Sequence, residues 1–208
     1  MENQWLAYAK RLQAIASTAL HFCQNDFDRE RFEEIADIAH RMLADLADVP
    51  LERISDLIPD FALGYATPKV EVRGAVIENG KILLVREKSD GLWTMPGGYA
   101  DIGLSAAENV IKEVQEEAGL EVTVQRLYSV RHKAKGLYTS DSRDFYKLYF
   151  LCERANIASE PMPGLETSEV GFFDPRDLPP LSRGRVIESD IVEALRFHDG
   201  TLTLTIFD

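Results

Sequence analysis

Glu113, Glu116 and Glu117 lie within five residues of one another, and at about 100° per residue they share one narrow face of a helix. Three like charges on one face repel. Near a helix C-terminus they also oppose the helix dipole. Hard divalent cations such as Mg²⁺ or Mn²⁺ take oxygen ligands and would cancel that repulsion. For three glutamates alone, a solvated acidic face is the simpler account. The upstream Pro96-Gly97-Gly98 shifts the balance, because paired glycines let backbone carbonyls approach a metal or a phosphate with no Cβ in the way.

The helix that carries these glutamates has clear ends. Ser105 followed by Glu108 forms a capping box, and Gly119 stands where a C′ residue belongs, so the spacing predicts a helix over about Ala106 to Ala118. Val110, Ile111, Val114 and Ala118 fall largely on other faces and can pack on a sheet. That sheet begins at Val70. Val70, Val72, Gly74 and Val76 alternate with Glu71, Arg73, Ala75 and Ile77, then Asn79-Gly80 turns the chain into Lys81 to Arg86. An Asn-Gly pair between two such runs predicts a hairpin. Further strand-like runs are Glu121 to Val130, Phe145 to Cys152 and Val170 to Phe173, and a closing helix is expected from about Val186 to Phe197. Together these predict an α+β sandwich with a mixed sheet.

The first sixty or so residues read differently. Apolar residues recur at helical spacing from Trp5 to Phe22. A second amphipathic run places Phe32, Ile35, Ile38, Ala39 and Met42 on one face, and a shorter third run covers Leu51 to Leu57 behind Pro50. Gly64 to Pro68 breaks the pattern, which predicts a helical domain over residues 1–66 and a second domain over 67–208.

Composition narrows the functional classes. The 208 residues carry a net charge of −12 and a pI of about 4.8, which argues against binding long nucleic acid. An acidic protein acting on a small anionic substrate would need a bound metal or a local basic group. With 45% hydrophobic and 28% charged residues, the chain has the balance of an ordinary globular protein. No apolar run reaches the roughly 20 residues that span a bilayer, and Met1-Glu2 does not resemble a secretory start, so a cytoplasmic protein with no membrane partner is expected. Cys23 and Cys152 have no zinc-binding spacing and are expected to be reduced thiols.

The stretch from Gly98 to Leu120 resembles the Nudix box: a glycine, five residues, Glu, seven residues, Arg-Glu, an aliphatic, any residue, Glu-Glu, any residue, Gly and an aliphatic. Gly98, Glu113, Val114, Glu116, Glu117, Gly119 and Leu120 match it, and Leu92-Trp93-Thr94-Met95-Pro96-Gly97-Gly98 resembles the usual lead-in. Two positions depart. The box's first glutamate falls on Leu104 and its arginine on Lys112, which keeps the charge without the planar fork that would orient Glu113. The resemblance covers about Lys69 to Asp208 and implies a Nudix α/β/α sandwich.

The resemblance also implies an activity: metal-dependent attack of water on the pyrophosphate of a nucleoside diphosphate linked to another moiety. Glu113, Glu116, Glu117 and the Gly98 carbonyl would then hold Mg²⁺ or Mn²⁺, and Glu169 or Glu166, on a loop beyond the box, would serve as base. Arg86, Gly97, Tyr99 and Arg131 are the candidate substrate contacts. For Arg86 an edge salt bridge with Glu87 or Asp90 is an equally good account, and for the Arg131-His132-Lys133 group a solvated loop is the plainer one. Trp93 also flanks the box, with core packing as its expected role. The helical N-terminal unit resembles the small domain ahead of the Nudix domain in bacterial hydrolases of X-linked nucleoside diphosphates, which points to ADP-ribose or CDP-choline and to a possible homodimer. A Nudix-fold ligand sensor that has lost catalysis is the alternative suggested by Leu104 and Lys112, and an oxidised nucleoside triphosphate is a further alternative substrate.

Overall fold

The structure, a computed structural model, describes residues 3–47 and 66–208. The expected third helix, Leu51 to Leu57, and the start of the expected linker at Gly64 lie outside the described residues. Two compact units emerge. One is drawn from the N-terminal segment up to Lys69 together with Lys133–Phe145, the other from Val70–His132 and Tyr146–Asp208. The inclusion of Lys133–Phe145 in the first unit has no counterpart in a simple two-block reading of the sequence.

In the first unit, helices α1 (Gln4–Phe22) and α2 (Asp26–Ala47) pack on each other. The Asn3 side chain caps α1 by accepting from the Trp5 amide at 2.8 Å. The buried seam uses small residues, Ala9 and Ala16 on α1 and Ala36 and Ala39 on α2, closed by Leu6 and Leu43. Alanines let the helices approach closely, and this turns Ile35 and Ile38 outward although the sequence pattern places them on the buried face. The interior contacts of α1 leave a second apolar row exposed: Trp5, Tyr8, Leu12, Ile15 and Phe22.

The second unit is a sheet between two helices. Its strands are β1 (Lys69–Glu78), β2 (Lys81–Glu87), β3 (Trp93–Thr94), β4 (Val122–His132), β5 (Phe145–Arg154), β6 (Thr167–Phe173) and β7 (Ile206–Phe207). The order is β3-β2-β1-β5-β4-β7, with β6 pairing β2 antiparallel and β7 pairing β4 parallel. Helix α3 (Ala106–Ala118) covers one face and α4 (Glu188–His198) the other. The strand period divides the core accordingly. Val72, Val76, Leu83 and Val85 meet Val110 and Val114 of α3, while Ala75, Ile77, Ile82 and Leu84 meet Ile191, Ala194 and Phe197 of α4.

The hairpin turns at Asn79 (φ 50°) and Gly80 (φ 73°), both with the positive φ that a type I′ turn requires. Strands β3 and β7 are too short to show a period in the sequence, and β6 starts three residues before its apolar run because Thr167 turns inward. Both cysteines are free thiols. Among the described residues no helix is long and apolar enough to cross a membrane. Leu83→Ala is expected to destabilise the second unit by about 2–5 kcal/mol, measured by urea unfolding followed by far-UV circular dichroism, because Leu83 is fully buried under α3.

Candidate active site

Both ends of α3 form as the sequence predicts. Ser105 Oγ accepts from the Glu108 amide at 3.2 Å, Glu108 reaches back to the Ser105 amide at 2.7 Å, and Gly119 ends the helix in the left-handed conformation. Asn109, which carries no signal in the sequence, ties the preceding loop down. It is buried, accepts from the Asp101 amide at 2.8 Å and donates to the Leu104 and Ser105 carbonyls.

The segment Pro96–Ala100 lies extended against β1. Val72 N–H donates to the Gly98 carbonyl at 2.9 Å, Gly74 N–H to Pro96 at 2.8 Å, and Ala100 N–H to Val70 at 3.0 Å. Gly97 has φ 148°, and a Cβ there would stand 2.1 Å from the Val72 carbonyl oxygen. Only glycine fits. A Cβ on Gly98 would lie 2.9–3.0 Å from the Glu113 carboxylate, so that carboxylate rests directly over the Gly98 backbone. Glu117 Oε2 accepts from the Gly97 amide at 2.8 Å. The two glycines thus each receive one glutamate of the helix.

The three glutamates are graded by burial: Glu117 is buried, Glu113 half-buried and Glu116 exposed. Burial is the main influence on Glu117. The Arg73 charge and the Gly97 N–H oppose it, Glu87 and Glu113 add like charge, and the balance pushes the carboxyl up to about 8. Burial likewise raises Glu113, against the pull of Lys112 and Arg73 and with the like charges of Glu116 and Glu166. Glu116 pairs with Lys112 at 3.0 Å, and Lys112 also reaches Asp101 at 3.1 Å. Lys112 thus directs its ammonium to Asp101 and Glu116 with no bond to Glu113, as its lack of a fork would suggest. Leu104 is exposed on the loop.

Among the described residues no three acidic, histidine or cysteine side chains converge into a closed metal cage. The donor set still suits a hard cation. The carboxylates of Glu113 and Glu117 are held where each one's charge acts against the other's, and the glycine backbone leaves open the space beside Glu113 that a Cβ would fill.

A strap over Met162–Glu169 closes the C-terminal end of α3. Met162 N–H donates to Ala118 at 2.9 Å, Gly164 N–H to Glu117 at 3.3 Å, and the Thr167 hydroxyl to the Glu117 carbonyl at 2.8 Å. Gly164 approaches the Glu116 carbonyl so closely that a Cβ would sit 1.7 Å from its oxygen. This strap brings the charge of Glu166 to bear on Glu113. Glu169 sits opposite Arg86 in the β2–β6 register and accepts from its Nη1 at 2.6 Å. The salt bridge of Arg86 is therefore with Glu169. Asp90 pairs with Arg185 at 2.8 Å, and Glu87 with the same arginine at 3.4 Å.

The remaining candidates scatter. Tyr99 is exposed and forms a backbone bridge to Glu71. Arg131 is tied to Glu193 on α4 at 2.5 Å and to Asp208 at 3.5 Å, neither of them part of the glutamate cluster. Trp93 packs edge-on to Phe173, as its core role requires.

The sequence reading passed over Arg73, Glu71 and Lys147, all buried in the second unit. Arg73 donates to Glu71 through Nε at 2.8 Å and also through Nη2, and to the Met95 carbonyl at 3.0 Å, while Lys147 donates to Glu71 at 2.7 Å. Burial alone would raise the Glu71 carboxyl, but the two cations pull it down to about 2. The available signal was two opposite charges at i and i+2 in a strand whose neighbours cover both faces.

A family model described as the NUDIX domain matches residues 68–195. The chain belongs to the Nudix family. A second model, described as a UDP-X-like, N-terminal oligomerisation domain, matches residues 3–58. Over its whole length the chain is 40% identical to a Bacillus subtilis (strain 168) protein provisionally named an ADP-ribose pyrophosphatase, covering 99% of that relative. An ADP-ribose pyrophosphatase from Methanocaldococcus jannaschii is 31% identical over 65% of this chain and 78% of its own. Among solved structures, a UDP-X diphosphatase superposes with a TM-score of 0.63 at 30% identity, covering 98% of both chains. An ADP-ribose pyrophosphatase of Streptococcus suis superposes with a TM-score of 0.61 at 39% identity, over 68% of this chain and 100% of that one. The Nudix fold and the hydrolase class expected from the box are borne out: the protein is a Nudix pyrophosphohydrolase.

The raised Glu117 carboxyl fixes a pH dependence. In the unfolded chain it titrates near 4.5, and in the folded, metal-free protein at about 8. Between these values the folded state holds a proton that the unfolded chain has lost. Its contribution to stability is complete below about 4.5 and disappears as pH rises through about 8. In EDTA, the urea midpoint of the native protein is expected to fall over this window more steeply than that of Glu117→Gln.

Proposed function

We propose that the protein is a divalent-metal-dependent hydrolase of X-linked nucleoside diphosphates, with ADP-ribose as the substrate to expect first, and that residues 67–208 form its catalytic domain behind a helical domain of residues 1–66. The observation that carries this reading is the seating of Glu113 over Gly98 and of Glu117 on the Gly97 amide, which packs the box glutamates onto the box glycines. The ADP-ribose pyrophosphatases and the UDP-X diphosphatase among its relatives support the substrate class.

In this reading Glu113, Glu116, Glu117 and the Gly98 carbonyl hold Mg²⁺ or Mn²⁺. The Gly98 carbonyl retains a lone pair beside its bond from Val72. A metal held by these groups would neutralise phosphate charge and lower the pKa of a water. Arg86 is close enough to the strap to exchange its partner Glu169 for a pyrophosphate oxygen, which would release that carboxylate to accept the proton of the attacking water. Glu166, whose charge already acts on Glu113, is the second candidate base. Gly97 and Tyr99 would border the phosphates and the base, and Arg131 would act on a distant part of the substrate.

The test is a panel of ADP-ribose, UDP-glucose, CDP-choline and an oxidised nucleoside triphosphate, with Mg²⁺ and with Mn²⁺ and with products identified. Release of AMP and ribose 5-phosphate from ADP-ribose supports the proposal, and absence of metal-dependent turnover on every sugar- or choline-linked diphosphate overturns it. Glu117→Gln is expected to lower kcat by about a hundredfold or more at unchanged far-UV circular dichroism.

The N-terminal domain, we propose, joins two copies of the chain. Trp5, Tyr8, Leu12, Ile15 and Phe22 follow a three–four spacing along the exposed side of α1, the seam of a helical pair. The description of the matching N-terminal family as an oligomerisation domain supports this. Leu12→Asp is expected to shift the particle from dimer to monomer mass in light scattering.

A further inference from the structure

We propose that Arg73, braced by Glu71 and Lys147, is a positioning residue that sets the metal affinity of the site by holding the Gly97 amide against Glu117. This rests on the reading above that Glu117 is a metal ligand.

A buried guanidinium must satisfy all its donors, and the partners of Arg73 show what it holds. Arg73 is 3% exposed. One side of its fork grips Glu71, and Nη1 reaches the Met95 carbonyl at 3.0 Å and the Thr94 hydroxyl at 3.4 Å. Glu71 is itself held by the fully buried Lys147 at 2.7 Å. The fork therefore runs from a rigid anchor to the carbonyl two residues before Gly97. A lysine, with one ammonium on a flexible stem, lacks the planar fork that spans both partners.

The same arginine limits the loop from the other side. The Gly97 Cα faces the Arg73 backbone and side chain so closely that a Cβ would stand 2.8 Å from Arg73 Cα and 3.0 Å from its Cδ. Gly97 is thus enclosed by the strand behind it and by the Met95 carbonyl clamped ahead of it. Its N–H is left with one direction, toward Glu117 Oε2 at 2.8 Å. A carboxylate anchored through one oxygen presents the other to a cation at a fixed angle, so less ordering remains to be done when the ion arrives.

Charge points the same way. Lys147, Glu71 and Arg73 together carry one net positive formal charge, placed beside the buried end of the glutamate cluster. Besides Glu71, the acidic groups coupled to Arg73 by their charge include Glu117, Glu87 and Glu113. Lys112, the cation beside Glu113 in sequence, is engaged with Asp101 and Glu116. The buried trio therefore supplies the fixed counter-charge behind the innermost glutamate.

The experiment compares native protein, Arg73→Lys, and the charge-balanced double variant Glu71→Gln/Lys147→Met. The double variant removes the anchor while keeping the trio's net charge at one positive, now carried by Arg73 alone, so it loosens the fork at constant net charge and gives a second reading should Arg73→Lys fail to fold. Mn²⁺ affinity is read from the signal of free Mn²⁺ in paramagnetic resonance, with no substrate present. The Mg²⁺ concentration for half-maximal turnover and the KM for ADP-ribose at saturating Mg²⁺ are measured alongside. The expected result is about tenfold weaker Mn²⁺ binding in each folded variant. Half-activating Mg²⁺ should rise in parallel, and the KM at saturating metal should stay within about twofold of native. Wild-type Mn²⁺ affinity in either folded variant overturns the inference, even if its stability or kcat falls. Native protein that neither binds Mn²⁺ nor turns over any substrate would instead overturn the functional proposal itself.

Discussion

The hydrogen bond from Gly97 to Glu117 exists because two stretches of backbone approach more closely than side chains allow. Pro96–Ala100 lies on β1 through three backbone hydrogen bonds, with Gly97 where any Cβ would collide with the Val72 carbonyl. That approach brings the loop within reach of α3, and the helix answers with Glu113 over Gly98 and Glu117 on Gly97. Van der Waals exclusion therefore comes first at this site, and electrostatics follows from it. The carboxylates are drawn in by glycine backbone and only then repel one another in a region poor in water.

The hydrophobic core serves the same arrangement. Val110 and Val114 fix the rotation of α3 against Val72, Val76 and Leu83, and Gly74 leaves room for both valines. With that face down, Glu117 turns toward the sheet, Glu113 toward the glycines and Glu116 outward. A helix rotated by one residue would bury a different glutamate. Packing sets the order of burial, and that order sets which carboxylate is raised furthest.

Much of this was legible in the sequence where the signal is local. The capping box at Ser105 and Glu108, the Asn79-Gly80 turn and the spacing of the three glutamates each depend on residues a few positions apart. The illegible parts depend on distant residues. Arg73 alternates with apolar neighbours in β1 as a solvent-facing residue would, and its burial follows only once Lys147 arrives from β5 and Met95 from the loop. The pairing of Arg86 with Glu169 needed the register between β2 and β6, which no pattern within either strand specifies. In the N-terminal unit, alanines outweighed larger residues in choosing the buried face of α2, because closeness of approach mattered more than the apolar area of Ile35 and Ile38.

Glu117 holds two parts of the molecule at once. Its side chain receives the Gly97 amide, while its main-chain carbonyl receives Thr167 and Gly164 from the strap. Whatever pulls on one of these is felt at the other, since a single residue on a rigid helix transmits both. Thermodynamics then imposes a symmetry between them. If occupancy at the glycine loop tightens the strap, a ligand that tightens the strap must strengthen occupancy at the loop by the same factor. A junction of this kind joins the glycine loop and the strap through one residue, so any coupling between them acts equally in both directions.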